Sequence, residues 1–248
     1  LREIELESGE VLDWNRVRAA ERRLLNLRYF RQDEELPLSD RRLLYGFSTR
    51  RTEDPSVDDL FLTVEEAQTG SITFGVGFNS TYGPSVFGSI NEMNLFGRGQ
   101  RGRLFAEIGE KRSQGSISWT EPRLFGSDYL LGVEGYYLQR DPFGGREFEE
   151  TRAGGAVRLG KELSDTVSVW TRYKLERVDI SEIDDPDEII ISRPDLFEES
   201  TLTTSSITFG IRRDTRDYYF FPTSGSELSV SAEFAGLGGN NEFVKLLG

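Results

Sequence analysis

The sequence predicts a mostly β chain: part of an antiparallel transmembrane β-barrel, with about ten strands, preceded by a small α+β module. Apolar and polar residues alternate with period 2 in successive runs from residue 71 onward. The longest links between these runs fall on one parity, as in barrels with short turns on one side and long loops on the other. No window holds ~18 consecutive apolar residues, which excludes a transmembrane helix but not barrel strands of ~9–11 residues.

The first 68 residues have a different pattern. The run VLDWNRVRAAERRLLNLRYF has apolar residues at near-helical spacing, with Asp13 as the N-cap. Two strand-like runs follow, LLYGFSTRR at 43–51 and DLFLTVEEA at 59–67, separated by the turn DPSVD. A helix followed by a strand pair predicts a small α+β module.

Ten strands are predicted after this module. SITFGVGF, for example, places Ile72, Phe74 and Val76 on one face and Thr73 and Gly75 on the other. The predicted ranges are 71–79, 84–93, 100–111, 115–121, 128–140, 149–160, 166–178, 202–213, 226–235 and 241–247.

The link RRDTRDYYFFPTSGSE at 212–227 is both polar and aromatic. The residues from Pro222 to Gly225 supply turn chemistry. An aromatic girdle at the membrane interface would account for the aromatic residues of this link and of two similar links: Phe96, Phe125, Tyr218, Tyr219, Phe220 and Phe221. The alternative is an aromatic β-turn of a soluble protein.

Composition restricts the possible functions. The chain has no cysteine and no histidine, which excludes thiol chemistry and histidine-based metal or general-base sites. Its net charge of −13 argues against nucleic-acid binding. No carboxylate pair has a recognisable catalytic spacing, so we expect no enzyme, no catalytic residue and no cofactor. The acidic loop 179–200 is most simply a solvated outer loop. The alternative is a calcium site of Asp184, Asp185, Asp187 and Glu188, but their spacing lacks the EF-hand pattern, and we predict no metal site.

Five motifs in order resemble the BamA-type outer-membrane assembly family. ERRLLNLRYF resembles the second helix of a POTRA module, and TVEEAQTGSITFGVGFNSTYG resembles the passage into the first barrel strand. NLFGRGQ, EPRLFG and DTRDYYFFPTSG resemble successive periplasmic turns. The resemblance implies the C-terminal part of a POTRA domain at 1–68 and the N-terminal part of a barrel at 69–248. The family's barrel has sixteen strands, so ten strands imply a fragment.

The resemblance also implies a function and a site. The family inserts β-barrel proteins into the bacterial outer membrane, with its POTRA part in the periplasm. The implied partners are unfolded outer-membrane proteins, outer-membrane lipid and accessory lipoproteins. The implied lateral gate for client strands is strand one: Ser71, Ile72, Thr73, Phe74, Gly75, Val76, Gly77 and Phe78. Gly75 and Gly77 would weaken its seam, which is its pairing with the last strand of the barrel. The alternative is that they relieve crowding inside the barrel. The POTRA-like strand at 43–49 is a second candidate edge for clients or lipoproteins, or an ordinary paired strand.

Three other functions stay open at this stage. A secretion translocator of the same superfamily would share the POTRA-plus-barrel plan. A simple porin would lack the module at 11–67. A soluble all-β binding protein would need no membrane.

Overall fold

The computed structural model describes residues 4, 6–33, 35–36, 42–141, 148–181, 200–217 and 222–248. The chain divides into two compact units, Leu1–Thr69 with Arg216–Gly225, and Gly70–Thr215 with Ser226–Gly248. Over the described residues, the first unit contains helix α1 and strands β1 and β2, at Trp14–Leu27, Gly46–Arg51 and Asp58–Thr63.

The first unit packs its helix on a small apolar cluster. Asp13 caps α1, because its carboxylate accepts a 2.8 Å hydrogen bond from the Asn15 amide, as expected from the sequence. The helix buries its apolar stripe, and Leu24 and Leu25 form a cluster with Leu43. Burying a leucine side chain contributes about 1.5–3 kcal/mol, so this cluster holds the helix in place.

The strands β1 and β2 form an antiparallel hairpin closed by the predicted turn. Gly46 lies opposite Thr63 and Arg51 lies opposite Asp58. In the turn, the Val57 amide donates to the Asp54 carbonyl at 3.0 Å. The Asp54 carboxylate also accepts from the Ser56 amide at 2.9 Å and from the Ser56 hydroxyl at 2.6 Å.

The described part of the second unit is one antiparallel sheet of ten strands, the number predicted. In this sheet each strand from β4 to β11 pairs with its two neighbours in sequence. The strands β3 to β12 are Gly70–Asn79, Gly83–Leu95, Gln100–Gly109, Arg112–Glu121, Tyr129–Arg140, Glu149–Ser164, Val167–Ser181, Ser200–Asp214, Glu227–Ala235 and Phe243–Leu247. Among the described residues, β3 and β12 do not pair with each other, so these ten strands form an open sheet.

The period-2 pattern gives the sheet two unlike faces. The apolar face carries Ile72, Phe74, Val76 and Phe78 of β3, and its side chains are largely exposed across the sheet. The polar face carries charged side chains over small buried residues such as Ala156 and Ser206. Ten strands of exposed apolar side chains far exceed the patch that a soluble monomer leaves in water.

Candidate functional site

The predicted gate strand lies at one edge of the sheet. All of Ser71–Phe78 falls within β3, and β3 is in register with β4 over ten residue pairs, from Gly70 opposite Glu92 to Asn79 opposite Gly83. Among the described residues, no strand pairs with the other edge of β3. That edge offers backbone N–H and C=O groups to a further strand.

The side chains of β3 make the edge asymmetric between the two faces. The four apolar side chains Ile72, Phe74, Val76 and Phe78 are 74–85% exposed. Ser71, Thr73, Gly75 and Gly77 lie on the polar face, where they are small enough to leave the backbone accessible. A strand added here would therefore meet apolar side chains on one face only.

The two glycines of β3 differ in what surrounds them. A Cβ on Gly75 would lie 2.8 Å from the ring of Phe87, the residue directly opposite on β4. A Cβ on Gly77 would lie 3.4 Å from the Ser85 hydroxyl, which is close to ordinary contact. Relief of crowding therefore accounts for Gly75 and does not account for Gly77.

A polar network crosses the other half of the sheet. The Tyr136 hydroxyl on β7 donates a 2.5 Å hydrogen bond to the Glu176 carboxylate on β9. Lys174 lies 3.6 Å from both Glu176 and Glu233, and the Ser206 hydroxyl donates to Glu233 at 2.7 Å. The network therefore links β7, β9, β10 and β11 on the polar face.

Small residues on the intervening strands let these long side chains meet. Gly154 of β8 is paired with both Tyr136 and Glu176, and a Cβ there would lie 2.7 Å from the Tyr136 hydroxyl oxygen. Arg172 of β9 likewise pairs with Glu134 of β7 across β8. This network was not predicted from the sequence. The available signal was the run of small residues Gly154–Gly155–Ala156 on a strand between two charged strands.

The turns at β4–β5 and β6–β7 present the predicted girdle residues Phe96 and Phe125. Both phenylalanines have left-handed backbone, with φ of 56° and 52°, and each is followed by a glycine of positive φ. A 3.1 Å hydrogen bond from Arg98 to Leu95 and a 3.0 Å bond from Ser127 to Leu124 close the two turns. Two successive positive-φ residues within such a bond are the signature of a type I′ hairpin turn. The two rings are 85% and 99% exposed.

Two other links lie at the same end of the sheet as the β4–β5 and β6–β7 turns. The β8–β9 link is described in full, and the β10–β11 link only in part. Tyr218, Tyr219, Phe220 and Phe221 of the β10–β11 link lie outside the described residues. Asp184, Asp185, Asp187 and Glu188 belong to a different link, the acidic loop between β9 and β10, and also lie outside the described residues. The Asp217 carboxylate accepts hydrogen bonds from the Thr223 and Ser224 amides at 2.9 and 3.1 Å, which fixes the Pro222–Gly225 turn. Leu163, which was not predicted as a girdle residue, is an exposed apolar residue close to the β8–β9 turn. We call the end of the sheet that carries the β4–β5, β6–β7, β8–β9 and β10–β11 links the turn end.

Two kinds of feature are absent from the described part of the chain. It contains no helix long and apolar enough to span a membrane. It also contains no group of three or more acidic, histidine or cysteine side chains placed to hold a metal ion.

An antiparallel meander with one apolar, exposed face and one charged face is typical of the wall of an outer-membrane β-barrel. The chain belongs to the Omp85 superfamily, whose domain matches residues 94–248. The resemblance to the BamA-type family, drawn from five motifs in order, is confirmed by similar proteins along the chain.

Two relatives are outer membrane protein assembly factors BamA. The one from Nitratidesulfovibrio vulgaris is 30% identical over 248 residues, which cover 99% of this chain and 29% of the relative. The one from Neorickettsia risticii is 25% identical, covering 98% of this chain and 31% of the relative. The chain thus spans about a third of the length of these relatives.

Two solved structures share the fold. BamA from Haemophilus ducreyi lacking POTRA domains 1–3 is 20% identical, with a TM-score of 0.65 over 99% of this chain and 46% of that one. CdiB from Acinetobacter baumannii is 13% identical, with a TM-score of 0.57 over 98% of this chain and 43% of that one. The ten-stranded sheet therefore has the fold of part of the barrel in these proteins.

Proposed function

We propose that this chain is part of an outer-membrane assembly factor that inserts β-barrel proteins, and that β3 is where client strands enter. The observation that carries this is the edge of β3: among the described residues no further strand pairs with Ser71–Phe78 on this side, while the other side is paired with β4. Similarity to BamA proteins along 99% of the chain supports the assignment. In this proposal residues 69–248 lie in the outer membrane, and residues 1–68 are the end of a periplasmic POTRA domain.

The mechanism follows from the energetics of an unpaired strand in lipid. An unsatisfied backbone group in hydrocarbon costs several kcal/mol, so the edge of β3 must be paired while it is in the membrane. A weak pairing with the strand that closes the barrel would be exchanged for pairing with a client strand. Backbone hydrogen bonds supply affinity with little demand on the client's sequence.

The distribution of charge on the polar face fits a seam at β3. The network of Tyr136, Glu176, Lys174 and Glu233 and the Arg172–Glu134 pair tie β7 to β11. Facing residues of β3 and β4, such as Thr73 with Ser89 and Gly77 with Ser85, are small or uncharged. In the proposed function the cross-linked part keeps its shape while the β3 side opens.

The proposed partners are unfolded outer-membrane proteins as clients, outer-membrane lipid around the apolar face, and accessory lipoproteins on the POTRA part. The process makes and breaks no covalent bond, so we propose no catalytic residue and no cofactor. Nucleic acid is not a proposed partner.

The test uses the full-length protein in liposomes. An unfolded outer-membrane barrel is added, and its folding is followed by heat-modifiable gel mobility. Because the chain has no cysteine, a disulfide can be introduced between Thr73→Cys in β3 and a cysteine in the strand that closes the barrel. We expect the unlocked protein to accelerate client folding and the lock to abolish the acceleration.

The matched control locks the same residue to the other side of the strand. Thr73→Cys with Ser89→Cys joins β3 to β4 at directly opposed positions, within the Cα separation that a disulfide needs. This lock should leave client folding unchanged. Equal folding with both locks would disprove entry at the β3 edge. Ion conductance without any acceleration would indicate the alternative, a secretion translocator of the same superfamily or a simple porin.

A further inference from the structure

A groove of about 750 Å³ lies on the apolar face near the turn end of the sheet. It is lined chiefly by apolar side chains of β8 to β12, with Tyr129 of β7 and Lys161 of β8 also in its lining. Its volume falls within the range of ~300–1,000 Å³ typical of small-molecule sites. None of the candidate residues selected from the sequence lines it.

The groove is produced by an alternation of large and small side chains across the strands. Register places five residues in one row: Leu159, Thr171, Phe209, Ala232 and Leu246. The small side chains of Thr171 and Ala232 flank the ring of Phe209, so the surface is depressed on both sides of the ring. The result is a furrow with apolar walls rather than an even apolar face.

One end of the groove carries a cation. Lys161 lies opposite Tyr129 in the β7–β8 ladder, and its ammonium is 4.9 Å from the tyrosine ring centroid and 3.4 Å from the hydroxyl oxygen. Arg213, one register row nearer the turns and two strands away, lies on the same face. Among the described residues, neither cation has a carboxylate partner, whereas Arg177 on this face is 2.9 Å from Asp179.

The depth of this cation relative to the groove matches an amphipathic ligand. Lys161 is three residues from Ser164, where β8 ends, so it lies about 10 Å from the end of the strand at ~3.3 Å per residue. The row that forms the furrow begins two residues deeper, at Leu159. A molecule bound along the groove would therefore place an anionic head at Lys161 and an apolar chain beside Phe209.

We propose that this groove is a binding site for an anionic glycerophospholipid of the leaflet at the turn end, with its phosphate at Lys161 and Tyr129 and an acyl chain along the Thr171–Phe209–Ala232 furrow. The inference rests on the proposed membrane location and adds a specific lipid to it. The apolar walls fit an acyl chain, and the cation without a carboxylate partner fits the phosphate.

The test measures lipid retention by native mass spectrometry. Full-length protein is equilibrated in micelles with equal amounts of phosphatidylglycerol and phosphatidylcholine. Wild-type protein should retain phosphatidylglycerol preferentially, and Lys161→Gln should lower that preference about fivefold, the size expected for one lysine at an anionic lipid surface. Ala232→Leu, which fills the furrow, should lower retention of both lipids.

The matched control is Lys245→Gln, which removes the same charge from an exposed position on the polar face of β12. It should leave lipid retention unchanged. Equal losses for Lys161→Gln and Lys245→Gln, or no preference in the wild type, would overturn the lipid site. Binding of client peptide rather than lipid at Lys161 would overturn it too.

Client folding in phosphatidylcholine liposomes separates the two proposals. If the protein retains phosphatidylglycerol through Lys161 but does not accelerate client folding, the result supports the lipid site and refutes the insertase function. If the protein accelerates client folding but Lys161→Gln retains lipid normally, the result supports the insertase function and refutes the lipid site. Protein that fails to enter the bilayer would refute both.

Discussion

The hydroxyl of Tyr136 on β7 reaches the carboxylate of Glu176 on β9 at 2.5 Å, over the backbone of Gly154 on β8. The strands β7 and β9 do not pair with each other, because β8 lies between them. Neighbouring strands are about 4.8 Å apart, so the two side chains together span about twice that distance. The contact requires that the strand between them has no side chain at that position. A glycine on β8 is therefore what allows the polar face to be cross-linked across strands.

Gly154→Ala should break this contact. The added methyl group would lie 2.7 Å from the tyrosine ring and hydroxyl and 3.0 Å from the Leu175 carbonyl oxygen, so Tyr136 must move away. Overpacking of this kind costs about 1–3 kcal/mol of the free energy of unfolding. The measurement is urea unfolding of the full-length protein in lipid vesicles.

The control for this prediction is Gly135→Ala. The same substitution there would meet Ile117 at 3.7 Å, an ordinary contact. It should not lower the unfolding midpoint. Equal losses at the two positions would show that the effect comes from any added methyl group rather than from the Tyr136–Glu176 contact.

Gly75→Ala and Gly77→Ala should separate the two roles considered for the β3 glycines. Gly75→Ala should destabilise the β3–β4 pair because of the Phe87 ring, and Phe87→Leu should restore stability in the double variant. Gly77→Ala should leave stability equal or raise it by about 0.5–1 kcal/mol, because glycine in a strand is itself unfavourable. Both are measured by urea unfolding of the full-length protein.

The same Gly77→Ala variant tests the seam. If Gly77 serves to weaken the seam of β3, this variant should slow client folding in liposomes without loss of stability. Unchanged client folding would remove Gly77 from the proposed gate.

Phe125→Asn and Phe125→Leu should separate backbone cost from lipid contact in the β6–β7 turn. Phe125 has a φ of 52°, and left-handed backbone costs about 1–2 kcal/mol for residues other than glycine and asparagine. We expect the asparagine variant to unfold at higher urea than the leucine variant in vesicles, although leucine is more apolar. The reverse order would show that lipid contact outweighs the turn geometry.

Asp54 gives a pH prediction for the β1–β2 hairpin. Its pKa is lowered from 3.8, first by the hydrogen bond from the Ser56 hydroxyl and then by that from the Ser56 amide. A carboxyl with a lowered pKa stabilises the turn above its ordinary pKa, and this effect is lost as the pH falls through the lowered pKa. Ser56→Ala should therefore speed hydrogen exchange of residues 52–58 at neutral pH, compared with the wild type.

Below the lowered pKa of Asp54 the two proteins should exchange alike, because the protonated carboxyl no longer accepts strongly. Hydrogen-exchange mass spectrometry of the full-length protein at both pH values provides the comparison. A difference of equal size at both values would assign the effect to the Ser56 hydroxyl independently of the Asp54 charge.

Most of the secondary structure could be predicted from the sequence, because the helical period of 3.6 and the strand period of 2 are both local patterns. The Asp13 cap, the β1–β2 turn and the ten sheet strands all follow from short-range patterns. Strand ends differed by a few residues: β8 runs to Ser164 rather than to 160, and β4 runs to Leu95 rather than to 93. The left-handed conformation of Phe96 and Phe125 was not predicted, because asparagine, aspartate or glycine is expected at that turn position.

The sequence by itself determined which side chains share a face, because alternation along a strand needs no knowledge of the neighbouring strand. It also determined the order of the turn motifs that pointed to the family. Register was decided only by the tertiary structure. Register places Gly154 between Tyr136 and Glu176, Phe87 over Gly75, and Thr171 and Ala232 on either side of Phe209. These relations join residues up to 40 positions apart, and a one-residue slip between strands would abolish every one of them.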